Sequence, residues 1–176
     1  MGSAQLLGSS NPSLSVSNVN LKNFNSSGLD VKIEELTEEE GNDILQDVLR
    51  LRVPFFDNTT LQILSNITYL TGNGPFHEGL IFESKRGLYY IAQTYPVTFV
   101  SVQSLHQAVK EIISFCQFNQ DSHEYKVTNS YSPTKLVTIS DIVAIIKTMP
   151  NEYNILGENC QKFSEKIVQQ LELKER

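Results

Sequence analysis

Hydrophobic and polar positions divide the first part of the chain into two helical segments and a turn. Thr37 and Glu40 form a capping box, and the apolar residues after it recur at roughly helical spacing, so the sequence predicts a helix that ends at Pro54. Residues 59–70 are predicted to form a second helix, although their Thr and Ile content leaves a strand open. The run Gly-Asn-Gly-Pro at 72–75 predicts a turn. The apolar residues of the first helix are Ile44, Leu45, Val48, Leu49 and Leu51.

The pattern becomes extended after residue 75. Residues 76–82 and 88–92 predict two strands, and the turn at 84–87 joins them into a hairpin. Residues 96–100 are a candidate third strand. A helix is predicted from Gln103 or Ser104, with an apolar face formed by Leu105, Val109, Ile112, Ile113 and Cys116.

The last third of the chain predicts two more helices. Residues 119–136 are polar and irregular, with one short strand predicted at 124–127. A short helix begins at Ser140, and residues 153–156 are predicted to be extended. Asn159 then caps a final helix, whose apolar positions are Phe163, Ile167, Val168 and Leu171.

These elements predict an α+β fold in which a small antiparallel sheet packs on the final helix. Residues 1–30 are rich in Ser, Asn and Gly and bury little apolar area, so we expect a flexible tail. Residues 31–176 are expected to form a single domain, which agrees with the chain length of 176 residues. The segment 31–74 either completes its core or forms a substrate-recognition cap.

Charge and motif content narrow the function classes. The net charge of −6 argues against sequence-independent nucleic-acid binding and against docking on an anionic membrane surface. No apolar run reaches the roughly 20 residues that span a bilayer, and no secretory signal is recognised. With two cysteines, the chain is expected to be an intracellular, cytoplasmic protein with reduced thiols. Neither a nucleotide-binding motif nor metal-ligand spacing is present, so we expect no cofactor and no metal.

Cys160 is the candidate nucleophile. It follows the predicted cap Asn159, so it falls at the first position of the final helix. The free amides and the dipole of a helix start favour a thiolate, and we therefore expect a lowered thiol pKa. The same amides could receive an oxyanion, and the side chain of Gln161 either supports that oxyanion or points to water.

A nucleophilic cysteine needs a base, and His77 has the best position among the three histidines. It begins a strand after a turn, whereas His106 lies within a helix and His123 lies in a polar loop. A lone cysteine is more often a buried apolar filler, and this remains the interpretation of Cys116.

Three segments resemble a known family. Residues 76–82, FHEGLIF, are similar to the "HxG-hydrophobic" strand of the PPPDE family of thiol isopeptidases. Residues 153–164, YNILGENCQKFS, resemble that family's "YNL…NCxxFS" segment, and 137–142 also resembles its pattern. The same order of His and Asn-Cys resembles the lecithin:retinol acyltransferase-like and phospholipase/acyltransferase proteins. All of these are permuted relatives of papain and the NlpC-type peptidases. The resemblance covers about residues 75–173, and 160 − 77 = 83 residues separate the two candidates.

The resemblance implies a permuted papain-like fold with Cys160 as nucleophile and His77 as base. Acyltransferase-like members carry a second His on the following strand; here Gln93 or Tyr89 would orient His77, or the pair would act as a bare dyad. The implied activity is that of a thiol isopeptidase or peptidase on a protein substrate such as a ubiquitin-like conjugate. The charged residues 171–176 lack the membrane anchor of many acyltransferase-like members. Two alternatives stay open: an acyltransferase, phospholipase or thioesterase acting on lipid or acyl-protein substrates, and an inactive binding module of the same fold.

Overall fold

A computed structural model describes residues 31–54, 76–94, 97–114, 125–150 and 160–176. This part of the chain is a mixed fold of seven strands and four helices. In chain order these are β1 (Lys32–Ile33), α1 (Glu38–Gly41), β2 (Leu45–Pro54), β3 (Phe76–Ser84), β4 (Tyr89–Gln93), β5 (Thr98–Val102), α2 (Leu105–Ser114), β6 (Lys126–Pro133), α3 (Ile139–Lys147), α4 (Cys160–Gln170) and β7 (Leu173–Glu175). None of these helices is long and apolar enough to cross a bilayer.

All seven strands belong to one sheet, in the order β1-β5-β4-β3-β2-β6-β7. Every neighbouring pair is antiparallel except β1 with β5, so the sheet is mixed and larger than the sequence predicts. The fold is compatible with the expected α+β class. Strand β3 lies at the centre and pairs with β2 over its whole length, from Phe76 to Ser84. Its pairing with β4 begins only at Gly79, so the first three residues of β3 extend beyond β4.

The predicted first helix is wrong for most of its length. The capping box of Thr37 and Glu40 is present, but α1 ends at Gly41 and the following residues form β2. An added Cβ at Gly41 would lie 2.5 Å from Ser140 Oγ, so the glycine allows a close approach to the start of α3. The β2 strand is central, and apolar residues occupy both of its faces. Outside residues 49–53, this masks the period of two that would reveal a strand.

Other predicted elements are confirmed with shifted bounds. The β3–β4 hairpin turns through Gly87, whose φ of 77° suits a residue without a side chain. Helix α3 begins with a capping box of Thr138 and Asp141 rather than at Ser140. The predicted strand at 124–127 is longer and later, as β6, and β7 was not predicted. Some predictions lie outside the described residues: 1–30, 59–70, 72–75, 153–156, Cys116, His123 and Asn159.

The sheet carries a hydrophobic core on each face. On one face, which we call the α4 face, α3 and α4 pack on even-numbered residues of β3 such as Leu80 and Phe82. On the opposite face, the α2 face, α2 packs on odd-numbered residues such as Ile81. An added Cβ at Gly79 would lie 3.0 Å from Ile112 Cδ1, so α2 rests directly on the β3 backbone there. Because side chains alternate along a strand, His77 shares the α2 face with Gly79 and Ile81, and Glu78 shares the α4 face with Leu80.

Candidate functional site

Cys160 is the first residue of α4, as the sequence predicts. Its thiol donates to the backbone carbonyl oxygen of Phe76 at an Sγ–O distance of 3.5 Å. The backbone amide of Glu78 also interacts with the sulfur. Both groups belong to the part of β3 that extends beyond β4, so the thiol occupies the place beside β3 where the sheet pairing with β4 has ended. The start of α4 therefore meets the backbone edge of β3 rather than one of its faces.

The Cys160 thiol is almost completely buried, with 2% of the residue exposed. Burial raises its pKa to about 12, and the negative charge of Glu78 acts in the same direction. The backbone amides of Glu78, Gln161 and Cys160 lower the pKa, but by less than burial raises it. The expectation of a lowered thiol pKa is therefore wrong for this structure. The helix start does favour the thiolate, but the cost of removing the thiolate from water is larger. The thiol is neutral at pH 7.

His77 is the residue that follows Phe76, so the thiol contacts the peptide group that joins Phe76 to His77. The imidazole is 1% exposed, and its Nε2 lies 2.9 Å from Oε1 of Gln93. Burial lowers the pKa of His77 to about 4, and the hydrogen bond to Gln93 opposes this shift more weakly. With Oε1 as the acceptor, Nε2 carries the hydrogen and Nδ1 is the basic nitrogen of the neutral ring.

Of the two residues that the sequence offered to orient His77, the structure brings Gln93 to the imidazole. Gln93 is the last residue of β4 and pairs in register with Gly79. Tyr89 lies at the opposite end of β4, and its hydroxyl donates to Oε1 of Glu83 at 3.2 Å. Tyr89 thus bonds across the β3–β4 hairpin to Glu83 and does not orient the imidazole.

The proposed oxyanion residues are only partly described. Asn159 lies outside the described residues. The backbone amide of Gln161 lies close enough to the Cys160 sulfur to lower its pKa, and the backbone carbonyl of Gln161 accepts from Arg50 Nη2 at 3.5 Å. The first turn of α4 thus directs amides towards the sulfur and a carbonyl towards β2.

A buried ion group lies next to this turn and was missed by the sequence reasoning. The carboxylate of Glu78 is fully buried and accepts from Arg50 Nε at 2.5 Å and from Arg52 Nε at 2.8 Å. Arg50 also lies 3.6 Å from Glu165 of α4, and the guanidinium of Arg52 stacks 4.4 Å from the ring centroid of Phe76. Burial raises the pKa of Glu78, while both guanidinium groups act to lower it. These contacts fix the start of α4 to β2 and β3.

The signal for this ion group is the alternation of Arg50, Leu51 and Arg52. In a strand, the two arginines lie on the same face, and pairing with β3 places Arg52 directly opposite Glu78. A helical interpretation of this segment separates the two arginines by about 200° around the axis and hides the relation.

Two further observations concern the other chemistry-bearing residues in the described part of the chain. His106 lies on α2, away from Cys160 in sequence and on a different helix. Among the described residues, no group of three His, Cys, Asp or Glu side chains could hold a metal ion.

Comparisons of the chain with models of protein families, with curated proteins and with solved structures found no match. The resemblance to the permuted papain-like families therefore rests on the three sequence segments and their order. The geometry of Cys160, His77 and Gln93 is the information that the structure adds to them.

Proposed function

We propose that the protein is a cysteine-dependent hydrolase in which Cys160 is the nucleophile, His77 is the general base and Gln93 orients the imidazole. One observation carries this proposal: the thiol at the start of α4 contacts the peptide group of His77, while the imidazole is held by Gln93. The thiol thus contacts the backbone of the residue that carries the base, and a third group orients that base. A nucleophile, a base and an orienting group are the parts that acyl transfer to a thiol requires.

The reaction starts from a neutral thiol and a neutral imidazole, since burial shifts both pKa values away from the charged forms. The imidazole lies on the α2 face and the thiol lies at the edge of β3, so the mechanism requires the substrate complex to bring the two together. The thiol then leaves the Phe76 carbonyl, and Nδ1 of His77 accepts its proton as sulfur attacks the carbonyl carbon. The tetrahedral intermediate then expels the amine, alcohol or thiol leaving group, which takes that proton from the imidazolium. Water hydrolyses the thioester and returns the hydrogen to Cys160.

Stabilisation of the intermediate is assigned to backbone groups. The amides of Cys160 and Gln161 lie at the start of α4 and close to the sulfur, where a developing oxyanion forms. The buried ion group of Arg50, Arg52 and Glu78 fixes the position of this turn relative to β3. We therefore assign the ion group a positioning role.

The favoured substrate is a protein-linked amide or isopeptide bond, such as that of a ubiquitin-like conjugate, and an acyl ester or thioester of a lipid or acyl-protein is the alternative. The motif resemblance supports the first. A binding module without activity is the second candidate function. It is favoured by the burial of both side chains, because a thiol that is 2% exposed must be uncovered before it reacts.

The test uses the full chain and two electrophiles: ubiquitin carrying a C-terminal propargylamide, and the 4-nitrophenyl ester of dodecanoic acid. Intact-mass spectrometry should show a covalent adduct with one of them, and peptide mapping should place it on Cys160. The Cys160→Ala variant should form no adduct. Cys116→Ala is the matched control, since it removes the other cysteine and should leave the adduct unchanged.

His77→Ala should slow adduct formation by roughly 100- to 10,000-fold, the usual contribution of a general base. An adduct that persists in Cys160→Ala, or a rate that does not change in His77→Ala, would contradict the assignment. If neither electrophile labels Cys160, the binding module is the better description.

A further inference from the structure

A cavity of about 620 Å³ lies on the α2 face, outside the site of Cys160. Its floor is formed by Leu49 and Leu51 of β2 together with Ile81 of β3, and α2 supplies Val109 and Ile113 as a wall. The volume falls within the roughly 300 to 1,000 Å³ that is typical of small-molecule sites. An apolar floor and wall of this size suit a hydrocarbon chain.

Among the described elements, α2 is the one that packs on this part of the face, and it leaves the cavity between itself and β6. Helix α2 packs on β2, β3, β4 and β5, whereas β6 lies beyond it on the other side of β2. Tyr125 and Val127, at the start of β6, are 47% and 44% exposed and line the cavity, as does Leu105 at the start of α2. These are three of the five large hydrophobic residues that are exposed in the described part of the chain. Exposed apolar residues that cluster in this way are more typical of a binding site than of the rest of a protein surface.

Lys110 is the charged residue among the described residues that line the cavity, and His106 lies one turn before it on α2. None of the described residues that line the cavity is acidic, although the whole chain has a net charge of −6. The cavity is therefore apolar with a cationic group on its lining, in a protein that is otherwise acidic.

A second cavity of the same volume, about 620 Å³, has a lining of different charge. That cavity lies between the β1–α1 region and α3, and its lining carries Glu34 and Glu35 together with Lys147. Its lining is mixed in charge, so it offers no preference for an anion. The second cavity therefore serves as a control, because it has the same volume but a lining of mixed charge.

We propose that the cavity on the α2 face binds a single-chain amphiphile with an anionic headgroup: the hydrocarbon chain lies against Leu51, Ile81 and Val109, and the headgroup pairs with Lys110. The ligand class follows from charge complementarity, because the cation lies on an otherwise apolar lining. The occupant is a long-chain carboxylate or an equivalent anion rather than a neutral or cationic lipid.

This site is separate from the candidate catalytic residues. His77 and Ile81 lie on the same face of β3 about 13 Å apart along the strand, and between them Ile112 packs directly over Gly79. The proposal therefore does not depend on the reactivity of Cys160. Its test measures binding, so that its failure and a failure of the proposed function can be distinguished.

The experiment titrates the full chain by calorimetry with three C12 amphiphiles below their micelle concentrations: dodecanoate, dodecyl maltoside and dodecyltrimethylammonium. Dodecanoate should bind at least tenfold more tightly than the other two. Lys110→Glu changes an exposed residue and should not affect folding; it should weaken dodecanoate at least tenfold and favour the cationic probe. Lys147→Glu, in the second cavity, is the matched control and should change neither affinity.

Methyl NMR locates the bound chain without a substitution. Dodecanoate should shift the methyl signals of Val109 and Ile113 and leave those of Val143, in the second cavity, in place. Three results would overturn the proposal: equal affinity for all three probes, shifts at Val143 instead of Val109, or no binding. If binding is absent and sedimentation shows a dimer, a second copy of the chain covers the face; if the protein is a monomer, its own residues fill the cavity.

Discussion

The α4 face of the sheet buries a carboxylate between two guanidinium groups, whereas the α2 face buries a neutral imidazole beside a direct contact between helix and backbone. Both arrangements lie within three successive residues of β3, His77, Glu78 and Gly79. Charged partners at Arg50 and Glu78 add to the apolar packing that positions α4, whereas α2 is positioned by apolar packing and a close steric fit. One strand therefore contacts two helices through different interactions, ion pairs on the α4 face and close apolar packing on the α2 face. Substitutions on the two faces should reduce the free energy of unfolding for different reasons.

The largest effect is expected from the α4 face. Glu78→Gln keeps the shape of the side chain but removes the negative charge between Arg50 and Arg52. Breaking a buried ion group in this way typically costs about 3 to 5 kcal/mol, because charges stay buried without compensation. Urea unfolding at pH 7 measures the loss.

The matched control is Glu172→Gln, which breaks the exposed pair with Lys135. That loss should be below about 1 kcal/mol, since surface pairs contribute little. If the two substitutions cost the same, the ion group does not hold the α4 face. Glu78→Gln should also let Cys160 react with iodoacetamide at a lower pH than in the wild type, because the charge of Glu78 helps to raise the pKa of the thiol.

The second largest effect is expected in the pH dependence of folding stability, to which the buried imidazole of His77 on the α2 face contributes. The pKa of His77 is about 4 in the folded protein, against about 6.5 in an unfolded chain. As pH falls from 7, the unfolded chain takes up the proton first, so folding stability decreases between pH 6.5 and pH 4. A shift of about 2.5 pKa units corresponds to a loss on the order of 3 kcal/mol by pH 4.

The measurement compares the wild type with His77→Gln in urea titrations at pH 7, 6, 5 and 4. The difference between the two proteins isolates the histidine, because both retain Glu78, whose raised pKa favours the folded state as pH falls. Stability of the wild type should decline relative to His77→Gln over this range. A constant difference would show that the imidazole takes up its proton without cost in the folded protein.

The sequence predicted the local elements of the site better than their partners. The helix start at Cys160 and the strand at His77 depend on a short cap signal and a short hairpin, which lie close together in sequence. The strand β2 was missed because Ile44, Leu45, Val48, Leu49 and Leu51 also fit helical spacing after the capping box, which outweighed the alternation of residues 49–53. That error hid the pairing of Arg52 with Glu78, and with it the ion group. The raised pKa of Cys160 depends on burial by distant segments, which no spacing in the sequence reports.

The smallest effect tests steric fit on the α2 face. A Cβ added at Gly79 would lie 3.0 Å from Ile112 Cδ1 and 3.2 Å from its Cγ1. Gly79→Ala should therefore destabilise the protein by about 1 to 2 kcal/mol, the usual cost of overpacking. Ile112→Ala alone should cost about 2 to 5 kcal/mol, because it leaves a cavity under α2.

The two substitutions should be coupled, since removing the Ile112 side chain beyond Cβ removes the three atoms that lie nearest to the new methyl group. In the Ile112→Ala background, Gly79→Ala should be neutral or stabilising, and a double-mutant cycle from urea unfolding should give a coupling of about 1 to 2 kcal/mol. Additive losses would mean that the strand moves to accept the methyl group. The α2 face would then be held no more rigidly than a surface contact, and the contrast with the α4 face would rest on its charges alone.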